Sequence, residues 1–559
     1  MVNAESVQSK GISNQKKRQY QGRGPSKRRK LNSKPQKEGS TEEVLLKDVE
    51  ALLVAYKISE PALHSKGDSS PGSPTSEHLP ELYSEIELQI KEISSTGDGL
   101  ALSSDSKNVY VVPFTTPGDL VRAKIYRHIP QHSHSFTDLI EILKPSSIRD
   151  DSLVKCKYFA KCSGCQLQML PYSEQLKHKR TIVEKAYTNF SGLSSQSIPK
   201  VQDTLGSPLQ YGYRTKLTPH FDGPPGYRSG ENKRANVKKH FEQVPPIGFL
   251  LKGTRKTLDI EDCPIGTDVV RLGMRRERNQ VVAELEKYTK GATILLRENT
   301  IRTSNRESEN SSHLTSEIKV DEEAGTIISH TLDTTTTKSC ITDSTAQATE
   351  YIGPYIFTNT AGSFFQNNNS ILPDFASFIR SHILPRENDS TAIKKIKYLI
   401  DAYSGSGLFT ITLSSLFTHS TGIDIDSIAI KAADTNAHLN NISKDRADFI
   451  AADASALFKQ VDYNPEETVV ILDPPRKGCD MEFLHQLMAF GAVRVVYVSC
   501  NVHTQARDVG VLVREGGYSV ESLRGFDFFP QTGHVEGVAI LRKEGNSPEL
   551  EKDEIDKGE

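Results

Sequence analysis

The sequence predicts a multidomain protein: a small antiparallel β-barrel near the N-terminus, a central α+β region, and a C-terminal α/β domain on a doubly wound sheet. Three observations support that order. From 84 to about 145, "IELQIKEI", "NVYVVPF", "DLVRAKIYRHI" and "SFTDLIEIL" are short runs broken by "STGDG" and "TPGD", the spacing of strands in a small barrel. From 352 to 543, "IKYLIDAY", "STGIDID", "TVVILDPP", "VRVVYVSCN" and "VEGVAILRK" alternate with helical patterns, the rhythm of a doubly wound sheet. Between them, 150–300 mixes both patterns around a group of cysteines.

The divisions follow in chain order. Residues 1–80 are polar and are expected to be a largely disordered, dispensable arm. Its exception is a short helix over "TEEVLLKDVEALLVAY" (41–56), which Thr41 can cap. The first 40 residues hold eleven Lys/Arg against Glu5 and Glu38, clustered in "KKR" (16–18) and "KRRK" (27–30). Such clusters serve as a nuclear address or simply as a basic tail. The barrel is assigned to 81–148 and the central domain to 150–350. Within the latter, Ser and Thr fill a stretch of about 303–345, read as an extended, poorly packed insertion in which Cys340 is incidental. The α/β domain takes 351–543, and 544–559 is an acidic tail with seven Asp/Glu against Lys552 and Lys557.

Composition excludes some classes. No apolar run approaches the roughly 18 residues of a membrane span, and the N-terminus lacks a signal-type apolar segment. Seven cysteines in 559 residues then point to a reducing compartment. The expectation is an intracellular protein of the nucleus and/or cytoplasm, with the mitochondrion also open. It has no membrane association and no evident obligatory protein partner.

The candidate chemistry sits where predicted strands end. "LIDAYSGSGLF" (399–409) runs an apolar strand into Asp401, after which Gly405 and Gly407 let the backbone turn tightly and approach a ligand. About 20 residues on, Asp424 closes a second strand, where a carboxylate can accept from a ribose diol. A third Gly at dinucleotide spacing and a Walker Lys are both lacking, so NAD and ATP fit poorly and S-adenosylmethionine fits better. The plain alternative is a sheet turn. "VVILDPPRKG" (469–478) ends a third strand on Asp473, held by two prolines that fix φ and lack N–H groups. "RVVYVSCN" (494–501) ends a fourth on Cys500. A cysteine there is either a small core hydrophobe or a nucleophile displayed at the carboxyl edge of the sheet. "PQTGHVEGVAI" (530–540) offers His534 and Glu536 just before another strand, Glu536 being either a base or an ordinary strand-edge carboxylate.

Together "SFFQNN" (363–368), "DAYSGSG", "GID", "DPPRKG", "YVSCN" and "GHVEGVAIL" closely resemble the motifs of the RNA uracil-C5 methyltransferases, in the expected order. The barrel resembles the TRAM domain (an OB-like fold) that many members carry, and the long basic arm is similar to the fungal tRNA-modifying branch. The resemblance implies that the C-terminal domain is a Rossmann-like S-adenosylmethionine-dependent methyltransferase and that the central domain binds RNA. It implies the product 5-methyluridine, made in tRNA at position 54 of the T-loop. Cys500 would add to uracil C6 and Glu536 would remove the C5 proton. Gln366, Tyr403, Asp424 and Asp473 fall on cofactor-binding positions. The target base must leave its stack to reach the thiol. Phe364 and Phe365 could line that pocket, with burial in the core the stronger expectation. A ribosomal RNA uracil methylase and a catalytically silent RNA-binding protein are the alternatives.

"CKYFAKCSGC" sets Cys156, Cys162 and Cys165 at C-x5-C-x2-C, with Cys263 far downstream. Four thiolates suit zinc or an iron–sulfur cluster, and spacing does not choose between them. The resemblance favours a structural [4Fe–4S] cluster. Cys479, in "KGCD", is read as a bystander. Because the net charge is only -2, an RNA-binding surface has to be local. "KHKR" (177–180), "YGYRTKL" (211–217), "ENKRANVKKH" (231–240) and "MRRER" (274–278) are its candidates.

Overall fold

Alternating apolar residues close the first domain into a barrel. The computed structural model describes residues 38–59, 79–104, 107–224, 240–305, 318–385, 396–452, 458 and 460–544. The basic clusters of the arm, all but His240 of 231–240, and all but Glu544 of the acidic tail lie outside these residues. Strands Glu85–Ile93, Gly99–Leu102, Val109–Val112, Leu120–Ile129 and His134–Lys144 form a closed barrel in which the first pairs back to the fourth. Leu88, Ile90, Ala101, Tyr110, Val121, Ala123 and Ile125 fill it. The second and third strands are apolar on both faces because Leu100, Val109 and Val111 cover a helix outside the barrel. That helix is Thr41–Ser59, and it docks through Leu45 and Val49. The expected short helix is therefore a packed part of the fold.

The C-terminal layer is an eight-stranded sheet. Its order is Ala447–Ala451, His419–Asp424, Tyr398–Ala402, Thr468–Leu472, Arg494–Ser499, Glu536–Lys543, Tyr518–Phe526 and Gln202–Leu205. The first five run parallel, and the central Tyr398–Ala402, Thr468–Leu472 and Arg494–Ser499 are mostly apolar, as strands buried on both faces must be. Chain order reverses between Tyr398–Ala402 and Thr468–Leu472, so a crevice opens outside their carboxyl ends, where such sheets bind ligands. The eighth strand and the helix Tyr172–Phe190 come from the region assigned to the central domain. Ile182, Val183, Ala186, Tyr187 and Val201 join the core beneath this sheet.

The Ser/Thr-rich stretch differs from its expectation. Ile318–Asp321, Thr326–His330 and Thr334–Ile341 form an antiparallel meander, and the last pairs over eight residues with Leu296–Ser304. Threonine is a good strand former even where it cannot build a core. Cys340, read as incidental, packs against Gly273 of the helix Asp268–Ala283, leaving no room for a Cβ there. No helix among the described residues is long and apolar enough to cross a membrane.

Candidate active site

Sheet register sets the central pair. In the antiparallel ladder between Arg494–Ser499 and Glu536–Lys543, Ser499 lies opposite Gly537. The ladder ends there, and Cys500 and Glu536 are the next residue on each side, so both sit at the same end of it. Cys500 is half-buried and Glu536 is buried at 2% exposure. Burial, then the negative charges of Glu536 and Asp473, push the Cys500 thiol up to about 12, and Arg476 opposes them. Burial, followed by Asp473, likewise holds the Glu536 carboxyl well above the usual carboxylate range.

The neighbouring strand ends supply a second set of groups. Asp473 donates its backbone N–H to Ala402 O at 3.3 Å, tying together the two strands that flank the crevice. Burial and the charge of Asp401 raise its carboxyl to about 7. Asp401 is itself fully buried, accepting from Thr410 N at 2.9 Å and Thr410 Oγ1 at 2.7 Å. Asp424 accepts from Gly405 N and Asp426 N, each at 2.9 Å. Gly405, at φ +53°, has open space where a Cβ would be, so the backbone faces the cavity bare. Tyr403 also takes a positive φ, 65°, and sets its ring 5.4 Å from Phe483.

Cys500, Glu536, Asp473, Asp424, Gly405 and Tyr403 line one cavity of about 1520 Å³, together with Gln366 and Cys156, Cys162, Cys165 and Cys263. Small-molecule pockets commonly measure about 300–1,000 Å³, so this one has room for a cofactor and a further group. The fit to S-adenosylmethionine rests on the lining. It combines a strand-end carboxylate, a bare glycine backbone, an aromatic face and the buried Ser404 Oγ, which lacks a hydrogen-bond partner among the described residues. Phe365 is buried against Phe357 with centroids 5.5 Å apart. Phe364 stands at the cavity wall and is 77% exposed, contrary to its expected burial. Cys479 is buried, 3.6 Å from Tyr497 Oη, and is not part of the lining. Arg476, whose Nη2 lies 3.3 Å from His534 Nδ1, was visible within "DPPRKG" but carried no assigned role. Only the folded site sets its charge against the thiol and Glu536.

The four cysteines Cys156, Cys162, Cys165 and Cys263 converge on one wall as free thiols. Burial raises Cys165 to about 12, with the charges of Cys156 and Cys162 adding to it. Among the described residues, however, no three His, Cys, Asp or Glu side chains stand close enough to hold a metal ion. The metal expectation is therefore unsupported by the arrangement.

Two basic segments do not form the expected surface. In "KHKR", Lys179 is fully buried against Asp527, while Lys177 and Arg180 pair with acids of their own helix and its neighbour. In "YGYRTKL", Tyr213 is buried with its hydroxyl on Pro530 O, Leu217 enters the core, and Lys216 holds the carbonyls of Gly362 and Ser363. Arg214 of that segment does line the cavity. In "MRRER", Met274 is core and Arg278 pairs with Asp259, leaving Arg275 and Arg276 exposed.

A crevice at the switch point of a parallel sheet, with this lining, defines an S-adenosylmethionine-dependent methyltransferase. Residues 349–544 match the family model described as tRNA (Uracil-5-)-methyltransferase. The chain is 40% identical over 514 residues to the tRNA (uracil(54)-C(5))-methyltransferase of Schizosaccharomyces pombe, covering 91% of this chain and 85% of that one. It is also 40% identical over 485 residues to the Saccharomyces cerevisiae protein of the same name, covering 82% and 73%. Its fold is similar to that of the Pyrococcus abyssi tRNA (uracil-54, C5)-methyltransferase solved with S-adenosyl-L-homocysteine. The TM-score there is 0.53, with 21% identity, over 82% of this chain and 100% of that one. The chain belongs to the tRNA (uracil-5-)-methyltransferase family.

Proposed function

We propose that this enzyme methylates C5 of uridine 54 in tRNA through a transient bond between Cys500 Sγ and uracil C6. The observation that carries the reading is the ladder whose end carries Cys500 and Glu536, beside Asp473 in one cavity. The site support is joined by the uridine-54 specificity in the names of the two fungal relatives.

Uracil C5 is a weak nucleophile. The Cys500 thiol passes its proton to solvent and its sulfur adds to C6, which moves electron density through the ring to O4 and C5. When bound, S-adenosylmethionine would supply an electrophilic methyl group to C5 and leave as S-adenosylhomocysteine. Glu536, once it too has lost its proton to solvent, takes the C5 proton as a carboxylate, and the electron pair of that C–H bond re-forms C5=C6 as Cys500 departs. Asp424 and Tyr403 hold the nucleoside end of the cofactor, Gln366 and Asp473 the rest of the site, and Arg476 stabilises the developing thiolate. Phe364 is placed to stack on an extruded base.

Incubation with RNA containing 5-fluorouridine tests the reading, because fluorine cannot leave as a proton does and the adduct persists. A crosslinked peptide containing Cys500 is expected; an adduct on another residue overturns it. Mapping methyl label on total RNA tests the substrate. Label confined to ribosomal RNA rejects tRNA, and no label favours a silent RNA-binding protein.

A further inference from the structure

The segment just before the N-terminal helix reaches the loop that carries the nucleophile. Asn501, the residue after Cys500, accepts from His503 N through its side-chain oxygen at 3.2 Å and so caps the helix Val502–Gly516. Its Nδ2 donates in two directions, to Arg476 O at 3.0 Å and to Gly39 O at 3.2 Å. A second contact runs through Arg507. Its Nη1 pairs with Glu38 at 2.8 Å, and its Nη2 donates to Lys477 O at 3.1 Å and Cys479 O at 3.2 Å. Residues 38–39 thus touch Asn501 and Arg507, the two side chains that in turn hold the loop after Asp473 against the one after Cys500.

This segment is stiff. Ser40 Oγ accepts from Glu43 N at 3.3 Å while the Glu43 carboxylate accepts from Gly39 N at 2.6 Å, a reciprocal cap. Gly39 takes φ +66°, and a Cβ there would overlap Thr504 Cγ2. The helix behind it is anchored to the barrel by Leu45 and Val49, and Asp48 accepts from Ser95 N.

We propose that Glu38 and Gly39 are positioning residues, a strap through which the barrel-docked helix fixes the Cys500 loop in its attacking position. This rests on reading Cys500 as the nucleophile. A reacting atom displaced by about 1 Å can cost about 10²-fold in rate, and one lost contact at the loop's edge should cost less. The test uses full-length protein, single-turnover adduct formation on 5-fluorouridine RNA, and saturating S-adenosylmethionine. Gly39→Ala is expected to slow that step by about 3- to 30-fold, with cofactor and RNA dissociation constants unchanged and the protein fully folded at the assay temperature. Thr504→Ser removes the overlapping methyl but keeps the hydroxyl, so Gly39→Ala/Thr504→Ser is expected to run faster than Gly39→Ala alone. Glu38→Lys, which repels Arg507, is expected to slow the same step, and its effect combined with Gly39→Ala is less than the product of the two. Wild-type rates in both single variants overturn the strap, as does slowing that follows weaker cofactor binding or unfolding at the assay temperature. If the wild-type adduct forms away from Cys500, the nucleophile reading fails and takes the strap with it. If it forms on Cys500 while the variants keep pace, only the strap fails.

Discussion

The chemistry at Cys500 requires the thiolate, which its surroundings disfavour. Burial and two nearby carboxylates push the thiol up, and Arg476 together with a backbone hydrogen bond opposes them. The reacting form is the deprotonated one and its pKa lies above neutrality, so the adduct step gains rate as pH rises. At saturating RNA, its logarithm is expected to climb with a slope near one between about pH 6.5 and 8.5. A flat profile would mean that substrate binding itself ionises the thiol. Arg476→Ala should slow the step by about tenfold or more, the worth of one pKa unit in thiolate population. Cys500→Ser is expected to abolish methyl transfer and leave cofactor binding intact, as equilibrium dialysis would show. Asp424→Ala should act in the opposite sense and weaken the cofactor by about 10- to 100-fold, because hydrogen bonds to a charged group contribute about 1.5–3 kcal/mol.

Among the elements, the helix Tyr172–Phe190 shows how a sequence pattern can be right and its meaning wrong. Gln175, Lys179, Ile182, Val183 and Ala186 recur at helical spacing and are all buried. A lysine on that stripe belongs to the core, and its partner Asp527 is 348 residues away. Tyr172 Oη also donates to Asp527, at 2.9 Å, and Lys179 to Phe529 O, at 2.9 Å. The helix is thereby clipped to the segment leading into Glu536. Lys179→Met strands a buried carboxylate and is expected to cost about 3–5 kcal/mol of stability in urea denaturation. A further change of Asp527 to Asn should recover part of that loss. The threonine-rich meander shows the reverse case: read as an extended, poorly packed insertion, it carries β propensity in its letters and forms paired strands whose residues stay exposed or half-buried.

On the scale of the molecule, the barrel is a structural neighbour of the site. Its Ser94–Gly97 turn lies against Gly533, where an added Cβ would meet Gly97 Cα at 3.2 Å. Gln166 bridges the same seam, with Nε2 donating to Thr96 O at 2.7 Å and Oε1 accepting from Gly533 N at 3.1 Å. Gly533→Ala should therefore push barrel and loop apart and shift Glu536. The expected result is a several-fold fall in kcat with cofactor affinity retained, which steady-state kinetics and calorimetry would separate. The arm judged dispensable is likewise divided, since residues 38–59 belong to this packed body.

By itself the sequence determined the alternation that makes the barrel, the strand–helix rhythm of the C-terminal sheet, and the strand-end identities of Asp401, Asp424, Asp473 and Cys500. Those are local properties, because side-chain period and turn chemistry are written over a few residues. Only the tertiary structure decided that Glu536 faces Cys500, that Arg476 faces both, that Lys179 is core and Phe364 is not. It also decided that residues 38–39 brace a loop more than 460 positions away in the chain. Pairings of that kind depend on register and packing between distant segments, and no local pattern records which segment will arrive.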